Sequence, residues 1–347
     1  MISPYNRAEI AFDLKSEIGQ EGKNSKTFIA HDHQLDANVV IKQIEKSKID
    51  SVDLFFNESR LLYLSEHPNV VQIHYACQDN DHIYIAMPYY SQGSLNALMN
   101  KRFLTVREII VFATQIANGL HNIHSKKLVH FDIKPDNILI SNRGEALISD
   151  FGLAKHKNLN GRVGQDRVYS KMLPPECIST NEFTHAFDIY QFGLTLYRMC
   201  NGNIDFYSQF NKYGAKSNFK IDDFKFDIRN GRFPDRQSFL PHIPDRLRRT
   251  IKKCLETNPA DRFQTTIDVV NSLADIDGNC LDWHYTKSAT QSFWKKHSDG
   301  KDYCLTLEQD GSTTGVKSTA SGNTTKIKEM CTKNATYKDI KGFLGGY

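Results

Sequence analysis

Residues 130–139 read His-Phe-Asp-Ile-Lys-Pro-Asp-Asn-Ile-Leu, and residues 149–152 read Ser-Asp-Phe-Gly. Between them, Ile138-Leu-Ile140 and Ala146-Leu-Ile148 are apolar runs flanking a turn at Asn142-Arg-Gly144, which predicts a short hairpin. Such a hairpin brings Asn137 and Asp150 to the same end. An aspartate that accepts a proton from an incoming hydroxyl, with an asparagine and a second aspartate as hard oxygen ligands for Mg²⁺, is the minimal set for phosphoryl transfer. Asp132, Asn137 and Asp150 have those chemistries.

Upstream, Phe28-Ile-Ala30, Val39-Val-Ile-Lys42, Val70-Val-Gln-Ile-His-Tyr75 and His82-Ile-Tyr-Ile-Ala86 are short β-branched and aromatic runs set between polar residues, the pattern of strands. From Asp53 to Leu64 apolar residues recur three and four apart, predicting one helix among those strands, stopped near Pro68. From Gly93 the period changes. Thr105 to His124 predicts a long buried helix with Thr105 as N-cap and Glu108 completing a capping box. Helical periodicity returns over Asp188 to Met199, Asp245 to Leu255 and Thr265 to Asp275. The segment from Asn201 to Pro234 reads as a long loop with short helices.

Taken in this order, the residues resemble a Hanks-type (eukaryotic-type) protein kinase, in its bacterial or phage-borne serine/threonine branch. The family's H-R-D-x-x-x-x-N matches His130 to Asn137, its D-F-G matches Asp150-Phe151-Gly152, and its V-A-I-K matches Val39-Val-Ile-Lys42. Pro174-Pro-Glu176 resembles A-P-E, Asp188 to Gly193 resembles D-x-W-S-x-G, and Asn258-Pro-Ala-Asp-Arg262 resembles N-P-x-x-R. The resemblance implies an α+β, two-lobed protein-kinase fold: a small antiparallel β lobe with one helix over 1–86, a hinge at 87–93 and a mainly helical lobe over 94–276. It also implies roles. Lys42, oriented by Glu58, holds the α- and β-phosphates of ATP; Asp132 is the catalytic base; Lys134 neutralises the γ-phosphate; Asn137 and Asp150 bind Mg²⁺. Gly19 and Gly22 belong to the phosphate-covering loop, Met87 stands at the gatekeeper position, and the Pro88 carbonyl and Tyr90 N–H face adenine. Glu176 and Arg262 form a buried salt bridge. The substrates implied are proteins, with self-phosphorylation of the Ser/Thr-rich stretch 311–325 as a further expectation.

Three departures qualify the match. Gly19 and Gly22 are one residue too far apart for G-x-G, with Ser25 at the third glycine and Thr27 at the valine. Phe131 replaces the arginine that in most members pairs with a phosphate on the activation loop, so activity without phosphorylation of that loop is expected. Lys134 is the serine/threonine form of the loop, yet Tyr169, or Ser170 after a one-residue shift, stands where a threonine is usual. Tyrosine or dual specificity stays open as an alternative, as does a pseudokinase that signals as an ATP-binding module. Aminoglycoside-type phosphotransferases lack the Lys134-Pro135 step, the Pro174-Pro-Glu176 segment and the Asp188 motif.

Composition sets the outer bounds. The chain has 347 residues, 39% hydrophobic and 24% charged, which is enough to bury a full core and excludes a disordered chain. A net charge of +4 argues against a polyanion-coating protein. No apolar run reaches the length of a membrane span, the N-terminus lacks a signal-peptide pattern, and seven dispersed cysteines read as reduced thiols, so a cytoplasmic protein is expected. Beyond Ile276, Trp283, Tyr285, Phe293 and Trp294 cluster, Asp302 to Gln309 predicts a strand, 311–325 a hairpin or connector, and Lys326 to Leu344 one or two helices. Residues 277–347 thus read as a small α/β accessory domain of unknown role. Its aromatics are expected in its core rather than on nucleic acid.

Overall fold

The computed structural model describes residues 9–22, 25–48, 56, 60–165, 170–215 and 217–347. Strands β1 (Phe12–Gly22), β2 (Ser25–Asp32), β3 (Ala37–Glu45), β4 (Tyr75–Gln78) and β5 (His82–Pro88) form an antiparallel sheet in the order β1-β2-β3-β5-β4. Alternation along β3 and β5 supplies apolar residues to both faces. Ala30, Val39, Ile41 and Ala86 pack with Phe12, Tyr75 and Tyr84, whereas Ile44, Ile83 and Ile85 pack with Phe56, Ile73 and Met87. Half of the helix expected over 53–64 lies outside the described residues; residues 56 and 60–64 are helical.

The run Val70 to Tyr75, expected as a strand, is one only from Tyr75 onward. Its backbone is spent elsewhere: Val71 N donates to Ile148 O at 2.8 Å, Ile148 N donates to Asn69 O at 2.9 Å, and Val70 is buried in the core of the large lobe. The apolar run therefore serves as a seam between lobes. Gly119 makes room for it, because a Cβ there would sit 2.6 Å from Asn69 O.

In the large lobe, α1 (Leu95–Lys101), α2 (Val106–Ser125), α3 (Ala186–Asn201), α4 (Asn203–Asn211), α5 (Ile221–Arg229), α6 (Asp245–Cys254) and α7 (Thr266–Ala274) share one core. The capping box of α2 forms as its sequence requires: Thr105 Oγ1 accepts from Glu108 N at 3.2 Å, and Glu108 Oε2 accepts from Thr105 N at 2.8 Å. The stretch 201–234 is more helical than expected. Its Asn and Gly residues break the period, but the rings of Phe206, Phe210, Phe219, Phe224 and Phe233 meet at centroid distances of 5.1 to 5.4 Å and hold α4 and α5 by tertiary packing. Short ladders join β6 (Leu128–Val129) to β9 (Lys155–His156), β7 (Ile138–Ile140) to β8 (Ala146–Ile148), and β10 (Val163–Gly164) to β11 (Glu182–Phe183). The α+β, two-lobed architecture is as the motifs implied.

Beyond it, β12 (His284–Lys287), β13 (Gln291–Ser298), β14 (Lys301–Glu308), β15 (Thr313–Thr319) and β16 (Thr324–Lys326) form an antiparallel meander, followed by α8 (Tyr337–Gly346). The Ser/Thr-rich stretch is the β15–β16 hairpin. Trp283, Tyr285, Trp294 and Leu305 make a core with Ile340 and Leu344, onto which Phe103 and Leu240 of the large lobe pack. Polar links key the two together. Arg107 reaches Asp282 bidentately at 2.6 and 2.9 Å, Lys341 meets Asp245 at 2.6 Å, and Trp294 Nε1 donates to His242 Nδ1 at 3.1 Å. Burial pushes the His242 imidazole down to about 3.

A neutral His242 in the folded chain, set against an unfolded histidine titrating near ~6.5, gives stability that is whole above that pH and falls as pH drops, by up to ~1.4 kcal/mol per unit. His242→Gln keeps an acceptor for Trp294. Urea unfolding should lose about 2 kcal/mol less between pH 7 and pH 5 in this variant than in the parent chain.

Candidate active site

The catalytic loop is positioned from below by α3. Asp188, wholly buried, accepts from His130 N at 2.9 Å, from Phe131 N at 2.8 Å, and hydrogen-bonds His124 Nε2 at 2.8 Å. Burial alone would push its carboxyl up; the His124 bond and the loop N–H groups outweigh this and hold it below its ordinary value. Three residues on, the buried Gln191 accepts from Ile133 N at 2.9 Å and donates to Met172 O at 3.3 Å. One helix face thus fixes the loop on both sides of Asp132. The constraint is needed, because Phe131 adopts φ 67°, a left-handed conformation that costs a bulky residue on the order of 1–3 kcal/mol.

Asp132 receives three side-chain bonds: Lys134 Nζ at 2.9 and 2.7 Å to its two oxygens and Asn137 Nδ2 at 2.8 Å. Asn137 Nδ2 also donates to Asp132 O at 2.9 Å. The β7–β8 hairpin does what its sequence suggested, since Ile138 pairs with Ile148 and Ser149 N donates to Asn137 O at 2.9 Å. Asp150 follows at φ 61°, with Phe151 buried edge to face on His130 at 4.8 Å. Lys42 on β3 crosses the cleft to Asp150 Oδ1 at 3.2 Å, and this amine holds the Asp150 carboxyl down to about 2. Desolvation pushes the fully buried His130 imidazole below its ordinary value.

The donor set fits a hard divalent cation. Because Asn137 spends its amide N–H groups on Asp132, its Oδ1 is left to accept, and Asp150 Oδ2 has no donor among the described residues. Two oxygens, one amide and one carboxylate, suit a site whose remaining ligands come from phosphate. Among the described residues no group of three or more His, Cys, Asp or Glu is placed to hold a metal.

At the nucleotide end, Lys42 pairs with Thr27 and Ile85 across the sheet, Met87 faces Val40, and Pro88 faces Val39. No partner accepts the Tyr90 N–H among the described residues, while Tyr90 O accepts from Gly93 N at 3.1 Å. The ladder slips by two residues across Gly19 and Gly22, between the pairs Ile18–Thr27 and Gly22–Ser25. Glu58, expected beside Lys42, lies outside the described residues, as does Tyr169.

Gln191 and Asp188 are site-building residues whose positions were legible only as a motif, not as roles. The available signal is a pair of polar residues three apart on a helix that is otherwise buried along its length. Phe131 fills the place of the missing arginine with an aromatic cluster: its ring lies 4.8 Å from Phe187 and 6.0 Å from Phe183, packed with Val129 and Val163. Arg262, with a fully buried side chain, meets Glu176 bidentately at 2.8 and 2.7 Å.

The family model described as protein kinase domain matches residues 12–272, about three quarters of the chain. The chain belongs to the protein kinase family. This kinase domain is 27% identical over 274 residues to the "Probable serine/threonine-protein kinase" of Clostridium acetobutylicum, covering 77% of this chain and 40% of that one. It is 31% identical over 187 residues to the serine/threonine-protein kinase STE20 of Candida glabrata, covering 54% and 20%, and 30% identical over 263 residues to the mouse serine/threonine-protein kinase Nek5, covering 74% and 39%. The aligned part of the chain thus spans two fifths or less of these relatives' lengths. Residues 277–347 fall outside the matched region.

Removing one partner of the buried Arg262–Glu176 pair leaves a charge without compensation. Arg262→Ala should cost roughly 3–5 kcal/mol in chemical unfolding, well above the change for an exposed arginine such as Arg229.

Proposed function

We propose that the chain is an active protein kinase that moves the γ-phosphoryl group of ATP to serine or threonine hydroxyls of proteins. The observation that carries this reading is the set of bonds converging on Asp132 from Lys134 and Asn137, facing a Lys42–Asp150 ion pair across the cleft. Bound at Asn137 and Asp150, Mg²⁺ would supply charge neutralisation for the β- and γ-phosphates. Asp132 orients the acceptor hydroxyl and takes its proton. Lys134, already on that carboxylate, is in reach of the charge that develops on the transferred group, and Lys42 exchanges Asp150 for phosphate oxygens. Glu58 as the partner of Lys42, Met87 and Tyr90 at adenine, and Gly19 and Gly22 over the phosphates complete the proposed site. Lys134 and the relatives' names support serine/threonine acceptors. The presence of all four polar groups supports chemistry over a binding-only module.

Activity without activation-loop phosphorylation is supported by the cluster around Phe131. Val163 and Phe183, at the two ends of the segment, are held by apolar packing with Phe131 and Phe187, where an arginine would need a phosphate.

Asp132→Asn and Lys42→Ala should each lower Mg-ATP-dependent phosphate incorporation at least about a thousandfold, since charge stabilisation and positioning fail together; undiminished incorporation in both would refute the assignment. In a second assay, the Tyr169→Phe, Ser170→Ala double variant should keep its initial rate to within about threefold. Near-complete loss, restored by Ser170→Glu, would show that the loop needs a phosphate.

A further inference from the structure

The acceptor side of the cleft has a wall that the proposed chemistry does not use. Gln191 clamps Ile133, next to Asp132, and Met172 with one amide, which ties the backbone that follows Lys171 to the loop bearing Asp132. The Lys171 amine lies over the rings of Tyr207 and Phe210 on α4, at 4.6 and 5.3 Å from their centroids. A second route ties the same tyrosine to the catalytic loop: Asn96 Nδ2 donates to Asp136 Oδ1 at 3.0 Å, and Arg198 Nη2 donates to Asn96 Oδ1 and to Tyr207 OH, each at 3.0 Å. Ile204, Tyr207, Ser208, Asn211 and Lys212 line an open groove of about 640 Å³ along α4, and Ile204 is 85% exposed in it.

The charges at this wall are one-sided. Neither Lys171 nor Lys212 has an ion pair among the described residues, and no carboxylate lines the groove. The one acid on α4, Asp205, accepts from Gln209 Nε2 of its own helix at 2.7 Å and from Tyr197 OH of α3 at 3.4 Å. Asp136 is likewise committed to Asn96, with Arg198 at 3.9 Å. The carboxylates close to the acceptor site are thus occupied, and neither Lys171, on its two rings, nor Lys212 is neutralised by them.

We propose that α4 and Lys171 select the acceptor segment of the protein substrate, and that they favour one carrying an acidic side chain beside an apolar one within a few residues of the phosphorylated hydroxyl. This rests on the protein-kinase reading of the site. The acidic side chain meets Lys171 and Lys212, and the apolar one covers Ile204. The pair Lys171 and Lys212 acts on peptide binding and not on the phosphoryl group, so its signature is in KM.

The test uses the full chain with Mg-ATP and two serine peptides of equal length, one with Asp and Glu around the acceptor and an added leucine, the other with Lys and Arg in those places. Each protein is read by its own ratio of kcat/KM for the two peptides, so that partial misfolding cancels. The expected parent ratio favours the acidic peptide at least about tenfold through KM. Lys171→Glu with Lys212→Glu should bring it to about one or reverse it, while Lys171→Arg should keep it. A parent chain that phosphorylates both peptides equally, or a ratio that survives the double charge reversal, overturns the inference and leaves the kinase reading standing. If neither peptide nor the protein itself is phosphorylated above the Asp132→Asn background, the kinase reading fails and this inference falls with it.

Discussion

A single buried carboxylate organises the centre of this molecule. Asp188 has no solvent to face and, among the described residues, no lysine or arginine to pair with, and its charge is borne by two main-chain N–H groups and His124. Removing any of these donors would leave a buried negative charge short of compensation, so the loop bearing Asp132 and the helix α3 cannot be moved independently. The strained turn at Phe131 is held by the same bonds. The geometry of the loop bearing Asp132 is thus inherited from a buried helix.

Where local chemistry and tertiary role coincide, the sequence was readable. The β7–β8 hairpin, the capped α2 and the period of α6 and α7 each state their structure within a dozen or so residues, and each is found as expected. Val70 to Tyr75 misled because β-branched residues bury equally well in a ladder and in a seam, and only the partner strand reveals which. The stretch 201–234 misled for the opposite reason. Its helices are held by an aromatic box whose members come from both helices and the turns beside them, at spacings that follow no single period.

The site divides in the same way. Lys42, Asp132, Asn137 and Asp150 could be singled out because phosphoryl transfer admits few residue types at those places. Gln191 could not, since a glutamine on a helix carries no chemistry of its own, and its role exists only through the two backbone groups it joins. The same holds for Phe131. Its sequence position announces a missing arginine, but that its ring would be enclosed by Phe183 and Phe187 depends on how the chain returns after the activation segment.

The seam over Gly119 gives the small lobe a direct mechanical line to Asp150. Asn69 and Val71 bond to both sides of Ile148 by main chain alone, and Ile148 lies two residues before Asp150. The Asn69 side chain reinforces that connection, its Nδ2 donating to Ala146 O at 3.1 Å on the same strand. A methyl group added at position 119 would press on the Asn69 carbonyl and, through it, on the strand that aims Asp150. The smallest residue of α2 therefore acts as a bearing surface, and the alignment of the two halves of the cleft is set where the chain carries no side chain at all.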